Sequence, residues 1–360
     1  MLIDSHQPNY GILHLTFIDC SPPKLKMSVF STPAPKFSTE EAEAMVSDLY
    51  GFVARASVLN SERDQNFLCS TSVGKKMVLK ISNPDEDKGV LEMQNECMKH
   101  IHDRDAWLDI PLVIAGIDQN EIMMVNQGSI TYWVRLVNYL NGPLLRDVLH
   151  SASTLYELGS FLGRLCQAMS GFDHAAARRG FPWDIAHTEF IKTHKHYVYA
   201  NEEIVDHFVG LYERNVLPNV AKLRKAVIHN DGNDHNVLVH NDGDIRSIID
   251  FGDMVCSFVA CEPAVCMAYV ALEKDDPLGA IREVLRGFHG VFPLTDVELG
   301  SVIYLVCLRS CITVTMAAYR KKLFAENKYI TVTEDQAWRF LKHMQNENLQ
   351  TWSQKLTELC

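Results

Sequence analysis

From residue 37 onward the apolar positions follow first one rhythm and then another. Ala42, Met45, Val46 and Leu49 recur at helical spacing behind Ser38 and Thr39, either of which can cap the helix, and Gly51 stops it. The runs 53–59, 66–71 and 76–81 read as strands, and an amphipathic helix is expected over about 88–102. Residues 111–140 supply further strands, the last running into Asn141-Gly142-Pro143, a turn signal that closes a β-rich half. Beyond it the spacing is helical. Apolar residues at 155, 158, 161, 162, 165 and 169 share one face, and helices are expected around 202–223, 263–272, 278–288, 297–319 and 336–344.

One stretch breaks the helical half. The apolar run Ala226-Val227-Ile228 delivers His229-Asn230-Asp231-Gly232-Asn233-Asp234-His235-Asn236, the chain turns over at Asn241-Asp242-Gly243-Asp244, and Ile248-Ile249 delivers Asp250-Phe251-Gly252-Asp253. A hairpin centred on Gly243 makes Asn236 and Asp250 cross-strand partners with Cβ atoms about 5 Å apart. Two such side chains suit one hard cation, which takes oxygen donors. Asp231, on the loop just before, is placed to take a proton from a bound hydroxyl. Taken singly, Asn-Asp-Gly clusters are ordinary turns. A rival reading makes His229, Asp231, Asp234 and His235 ligands of a transition metal in a hydrolase, but it leaves Asn236 and Asp250 without a task.

His229, Asp231 and Asn236 followed by Asp250-Phe251-Gly252 keep the spacing of the kinase pattern H-x-D-x-x-x-x-N and D-F-G. The absent Arg between His229 and Asp231, and the short gap from Asn236 to Asp250, make the chain resemble the aminoglycoside phosphotransferase-like small-molecule kinases. Their usual tripeptide is His-Gly-Asp, so Asn230 is a departure that bears on the local turn. The resemblance implies an α+β, two-lobed, protein-kinase-like fold with a small β-rich N-terminal lobe (37–140) and a larger, mostly helical C-terminal lobe (141–360). It implies that Asp231 is the base, that Asn236 and Asp250 hold Mg²⁺, and that His229 braces the loop. Lys80, a lone cation in the apolar strand Met77-Val78-Leu79-Lys80-Ile81, would pair the nucleotide phosphates, with Glu92, Gln94 or Glu96 of the next helix set to meet it. The loop from Asn60 to Asn66 would fold over those phosphates. It lacks a G-x-G-x-x-G, so Ser61, Asn66 and backbone amides would be the donors. Backbone groups near Asn138 and Leu140 would meet the purine edge.

Ser61-Glu62-Arg63-Asp64-Gln65-Asn66-Phe67, residues 134–142, Phe181-Pro182-Trp183, Asn233-Asp234-His235-Asn236, Asp250-Phe251-Gly252-Asp253-Met254, Val306-Cys307-Leu308-Arg309-Ser310 and Thr315-Met316-Ala317-Ala318-Tyr319 narrow the resemblance to the hydroxylysine kinases, from about Phe37 to the last residue. That resemblance implies transfer of the terminal phosphoryl group of GTP, or of ATP, to the 5-hydroxyl of 5-hydroxy-L-lysine. A dibasic acceptor asks for acidic residues in the helical lobe, and Asp253, Asp184, Asp234 and Glu262 are the candidates. Glu262 stands in Cys261-Glu262-Pro263, where family members often have Gly-Asp-Pro. Other acceptors stay open: choline, homoserine, methylthioribose or an aminoglycoside. So does a non-catalytic nucleotide-binding relative, against which stands the joint retention of Lys80, Asp231, Asn236 and Asp250.

At 360 residues the chain exceeds one average core, and 47% hydrophobic with 22% charged residues describes a globular protein. The net charge of −11 argues against a nucleic-acid partner and is compatible with a cationic substrate. The ten cysteines include no Cys-x-x-Cys pair. Cys256, Cys261 and Cys266 read as buried thiols in a reducing, cytoplasmic setting. Residues 1–36 look like a poorly ordered extension. The apolar run 10–18 has no basic flank and is too short for a signal peptide, and Met27 is an alternative start. With no continuous run of 18 apolar residues, no membrane span is expected.

Overall fold

The structure, a computed structural model, describes residues 24–240, 244–324 and 333–358. Helices α1 (Ser28–Ser31) and α2 (Thr39–Tyr50) precede an antiparallel sheet of six strands, β1 (Ala54–Leu59), β2 (Gln65–Thr71), β3 (Lys76–Ile81), β4 (Val113–Ile114), β5 (Met123–Gln127) and β6 (Ile130–Asn138). The order is β1-β2-β3-β6-β4, with β5 also pairing to β6. Ser38 caps α2 in a reciprocal capping box with Glu41, and Gly51 closes it at φ 72°. Alternation along the strands decides what each face carries. Phe67, Cys69, Met77, Leu79, Ile81, Val134 and Leu136 are buried on the face covered by α2. Val78, Lys80, Arg135 and Val137 are left for the opposite face, which looks into the cleft.

Helix α3 (Lys88–Arg104) sits between the two halves. Its apolar residues Val90, Met93, Cys97, Met98 and Ile101 join the core of the helical half, while Gln94 and Asn95 turn to the sheet. The helical half follows with α4 (Ala152–Met169), α5 (Glu189–His194), α6 (Glu202–Asn215), α7 (Cys261–Val270), α8 (Pro277–Val291), α9 (Asp296–Leu323), α10 (Glu334–Met344) and α11 (Leu349–Thr357). Strands β7 (Lys225–Ile228), β8 (Val237–Val239), β9 (Ile245–Ile248) and β10 (Val255–Phe258) form two small antiparallel sheets, β7 with β10 and β8 with β9.

One expectation is corrected. Residues 24–36 are not a loose extension: Lys26 N–H donates to Gly180 O at 3.1 Å, and Phe30 is fully buried with its ring 5.8 Å from that of Phe181. The run 10–18 lies outside the described residues. Helix α9 is long and apolar enough to cross a bilayer by length and composition. It is the hub of the helical half instead, packed by α6, α7, α10 and α11, and nearly all of its apolar stretch is buried. A helix surrounded by protein is apolar on every side for the same reason as one surrounded by lipid.

Helices α4 and α8 are in backbone contact. A Cβ on Gly159 would sit 1.9 Å from Val284 O, and one on Gly287 would sit 1.9 Å from Tyr156 O. Each helix therefore needs a bare backbone where it meets the other, and any side chain there must drive the pair apart. Gly159→Ala and Gly287→Ala should each destabilise the protein by about 3 kcal/mol in urea denaturation. The control Gly300→Ala, whose added methyl would find Ser353 Oγ at 3.8 Å, should leave the midpoint nearly unchanged. Equal midpoints for all three would contradict the packing described.

Candidate active site

Val227 and Ile228 anchor β7 in the core, and the chain leaves it as His229-Asn230-Asp231. Asn230 adopts a left-handed conformation, φ 65°, which asparagine tolerates better than other side-chain-bearing residues and which explains how it stands in for glycine. Its buried amide holds the turn by donating to Trp183 O at 3.4 Å and Asp253 O at 3.2 Å, while its N–H donates to Glu262 Oε2 at 2.9 Å. His229 Nδ1 accepts the Asp231 N–H at 3.3 Å, and its ring meets Phe251 edge-on at 4.7 Å. Burial lowers its pKa to about 4, so it is a neutral brace. Asp231 Oδ1 accepts from Asn233 Nδ2 at 2.7 Å, and Oδ2 accepts from Asn236 Nδ2 at 2.5 Å. Burial, with Asp253 adding to it, pushes the Asp231 carboxyl well above the usual carboxylate range, and Arg309 opposes the rise.

The β8–β9 register differs from expectation. Val237 pairs Ile248 and Leu238 pairs Ser247, an irregularity follows, and Ile249 N–H donates to Asn236 O at 2.8 Å. Asn236 thus opposes Ile249 and not Asp250, a slip of one residue that reverses faces. Asp250 itself is left-handed, φ 63°, and this turn lets its carboxylate line the same cleft as Asn236 and Asp231. The expected turn residues 241–243 lie outside the described residues. Lys80 Nζ comes from the other half and donates to Asp250 Oδ1 at 3.2 Å. That lysine is the chief reason the Asp250 pKa is lowered to about 2. A carboxylate kept ionised beside an amide oxygen suits a hard divalent cation. Lys80, Asp231, Asn236 and Asp250 all line one cleft of about 470 Å³.

On the sheet side of the cleft, Leu59, Asn66, Lys80 and Arg135 lie in one cross-strand row. Ser61 and Asn66 line the cleft, and Asn66 Oδ1 is buried without a hydrogen-bond partner. None of the three residues proposed for Lys80 meets it. Glu92 pairs with Lys88 at 2.8 Å, Glu96 lies outward near His174, and Gln94 Oε1 accepts from Arg135 Nη2 at 2.7 Å. Arg135 Nη1 also donates to Asn95 Oδ1 at 2.8 Å, so a buried arginine ties α3 to the sheet. Asn138 has its N–H and Oδ1 both engaged by Leu112, at 3.0 and 2.6 Å, and it lines the cleft together with Leu140. The loop after β1 is tied across the cleft, with Glu62 paired to Arg320 of α9 and Arg63 to Asp253.

Of the four acids proposed for the acceptor, Asp253 alone lines the cleft. Asp184 is buried and accepts from Ser257 Oγ at 2.6 Å and Ala186 N–H at 3.0 Å, which makes it a structural carboxylate. Asp234 does not line the cleft and pairs at 3.2 Å with its neighbour His235, which does. Glu262 lies beneath the loop, holding Asn230. The transition-metal set does not converge either. His229 is fully buried, Asp234 is off the cleft, and among the described residues no three His, Cys, Asp or Glu gather as ligands. Arg135, Arg63 and Arg309 were missed as site residues. Arg135 and Arg309 carry the signal that marked Lys80, a lone cation inside an apolar run.

A profile of the phosphotransferase enzyme family matches residues 55–294. The chain belongs to that family. Hydroxylysine kinase of Mus musculus is 30% identical over 339 residues, which is 86% of this chain and 90% of the relative. Hydroxylysine kinase of Bos taurus is 30% identical over 342 residues, with 86% and 90% covered. An amicoumacin kinase solved with AMP-PNP and Ca²⁺ superposes with a TM-score of 0.64 at 13% identity, covering 89% of this chain and 94% of the other, a likeness of fold. The phosphotransferase is thus a two-lobed kinase that moves a phosphoryl group from a nucleotide to a hydroxyl of a small molecule.

Glu262 gives this phosphotransferase a measurable pH dependence. Burial raises its pKa from the ordinary 4.5 to about 7, against the hydrogen bond from Asn230. Between those values the folded protein retains a proton that the unfolded chain has released, so this residue's contribution to stability falls as pH rises. Glu262→Gln keeps an acceptor for Asn230 N–H and cannot ionise. Relative to wild type, the variant should gain on the order of 3 kcal/mol between pH 4.5 and 8. Chemical denaturation at several pH values reads this, and a difference that does not vary with pH would show that Glu262 does not titrate as described.

Proposed function

We propose that the phosphotransferase transfers the terminal phosphoryl group of GTP, with ATP as the lesser donor, to the 5-hydroxyl of 5-hydroxy-L-lysine. The observation that carries the reaction is the gathering of Asp231, Asn236, Asp250 and Lys80 around one cleft from two halves of the chain. The acceptor rests on the similarity to hydroxylysine kinases over most of the chain's length. Mg²⁺ held by Asn236 and Asp250 would supply charge neutralisation between the nucleotide's terminal phosphates.

The chain's own residues supply the rest. Lys80 leaves Asp250 to pair with the phosphates, and the cross-strand Asn66 stands beside it. The purine enters against Val78, Val137 and Leu238, with the backbone at Leu140 as its polar edge. Asp231, on the cleft beside Asn236, accepts the hydroxyl proton. Positioning of the two reactants and electrostatic stabilisation carry most of the rate. Asp253 is the carboxylate available to an acceptor ammonium, which would compete with Arg63 for it. A reducing, cytoplasmic setting agrees with the described cysteines, none of which is in a disulfide.

Asp231→Asn should lower kcat by roughly 1,000-fold, and Asp250→Ala should leave no detectable transfer, both with thermal unfolding close to wild type. Undiminished turnover in either would remove the assignment. Labelled GTP and ATP offered with 5-hydroxy-L-lysine, choline, homoserine, methylthioribose and an aminoglycoside should give the highest kcat/KM for GTP with 5-hydroxy-L-lysine. A higher value for another acceptor would overturn the substrate while leaving phosphoryl transfer intact.

A further inference from the structure

Arg309 of α9 lines the wall of the cleft and reaches the proposed base from a position almost closed to solvent. Its side chain is 2% exposed, while that of Asp231 is 17% exposed. Nη2 lies 3.3 Å from Asp231 Oδ1 and 3.2 Å from the Tyr269 hydroxyl, and Nη1 donates to Trp183 O at 3.1 Å. The guanidinium also lies 4.4 Å from the ring centre of Trp183 and 5.5 Å from that of Tyr269. Trp183 O accepts from Asn230 Nδ2 as well, at 3.4 Å, so one carbonyl ties α9 to the turn that carries the base.

The two oxygens of Asp231 are held differently. Oδ2 is held by Asn236, whose amide would also be needed for a cation. Oδ1 is held by Asn233 and Arg309. We propose that Arg309 is a positioning residue of the phosphotransferase: it fixes Asp231 through Oδ1 so that Oδ2 is presented to the acceptor hydroxyl once Asn236 turns away. This rests on Asp231 being the proton acceptor. Arginine suits the place because its planar fork reaches acceptors in three directions, whereas the single nitrogen of lysine reaches fewer.

The test is a double-mutant cycle on the full chain, with acceptor and nucleotide varied separately. Arg309→Met should lower kcat roughly 100-fold, the scale of a misplaced catalytic group, with both KM values little changed. Arg309→Lys should recover part of the loss. In an Asp231→Asn background, Arg309→Met should cost nothing further, because the two act as one unit. Nucleotide affinity, measured by fluorescence, shows whether each variant is folded; if Arg309→Met is not, Arg309→Lys alone and combined with Asp231→Asn makes the same comparison. The same fold-loss in both backgrounds would reduce Arg309 to a structural residue, and a raised acceptor KM at unchanged kcat would make it a binding residue. Either overturns the proposal while the base assignment stands. Full activity of Asp231→Asn alone would overturn the base assignment, and the proposal with it.

Discussion

Three carboxylates, Asp231, Asp250 and Asp253, share the floor of one cleft, and the rest of the molecule is arranged to make that tolerable. Asp253 and Asp250 both raise the proton affinity of Asp231. Like charges gathered in one cleft are easier to hold when cations are brought to them. The cations arrive from elements far apart in the chain: Lys80 from β3 to Asp250, Arg63 from the loop after β1 to Asp253, and Arg309 from α9 to Asp231. Each acid has its own counter-charge, and two of the three pairings cross between the halves. The electrostatics of the floor thus also fix how the sheet sits on the helices.

The same need governs the backbone. Two successive loops deliver their carboxylates from left-handed residues, Asn230 and Asp250, and both turns are held by partners outside the loops' own strands. Asn230 is held through its N–H and its amide nitrogen by Glu262, Trp183 and Asp253, and Asp250 by Lys80. Glu262 is sequestered under the loop in order to hold one backbone N–H, and the cost appears as its raised pKa. A carboxylate that looks like a substrate ligand in the sequence turns out to be a strut.

Much of the scaffold was legible. The α2 cap at Ser38 and its stop at Gly51, the three strands around Lys80 and the helical face from Leu155 to Met169 depend on neighbours a few residues away, and the structure has them close to where the periodicity puts them. The β8–β9 hairpin lies one residue away from the register that symmetry about Gly243 predicts, since strand alternation by itself leaves the pairing offset open. The expected helices around 202–223 became α6 and a tighter 3₁₀ segment containing Pro218. The buried α1 and Phe30 were missed since four residues carry no period.

What the sequence alone determined is the chemistry on offer: two carboxylates, an amide and a lysine at spacings that local turns and strands bring within reach of one another. Those properties are short-range, and short-range geometry follows from φ/ψ preference and side-chain period. Tertiary structure decided the partners. Arg135 took Gln94 away from Lys80, Arg63 took Asp253, and Asp184 and Glu262 turned inward. A charge inside an apolar run announces that it will be buried. Which opposite charge or amide it meets depends on how whole elements dock, and the spacing within one run carries no information about that.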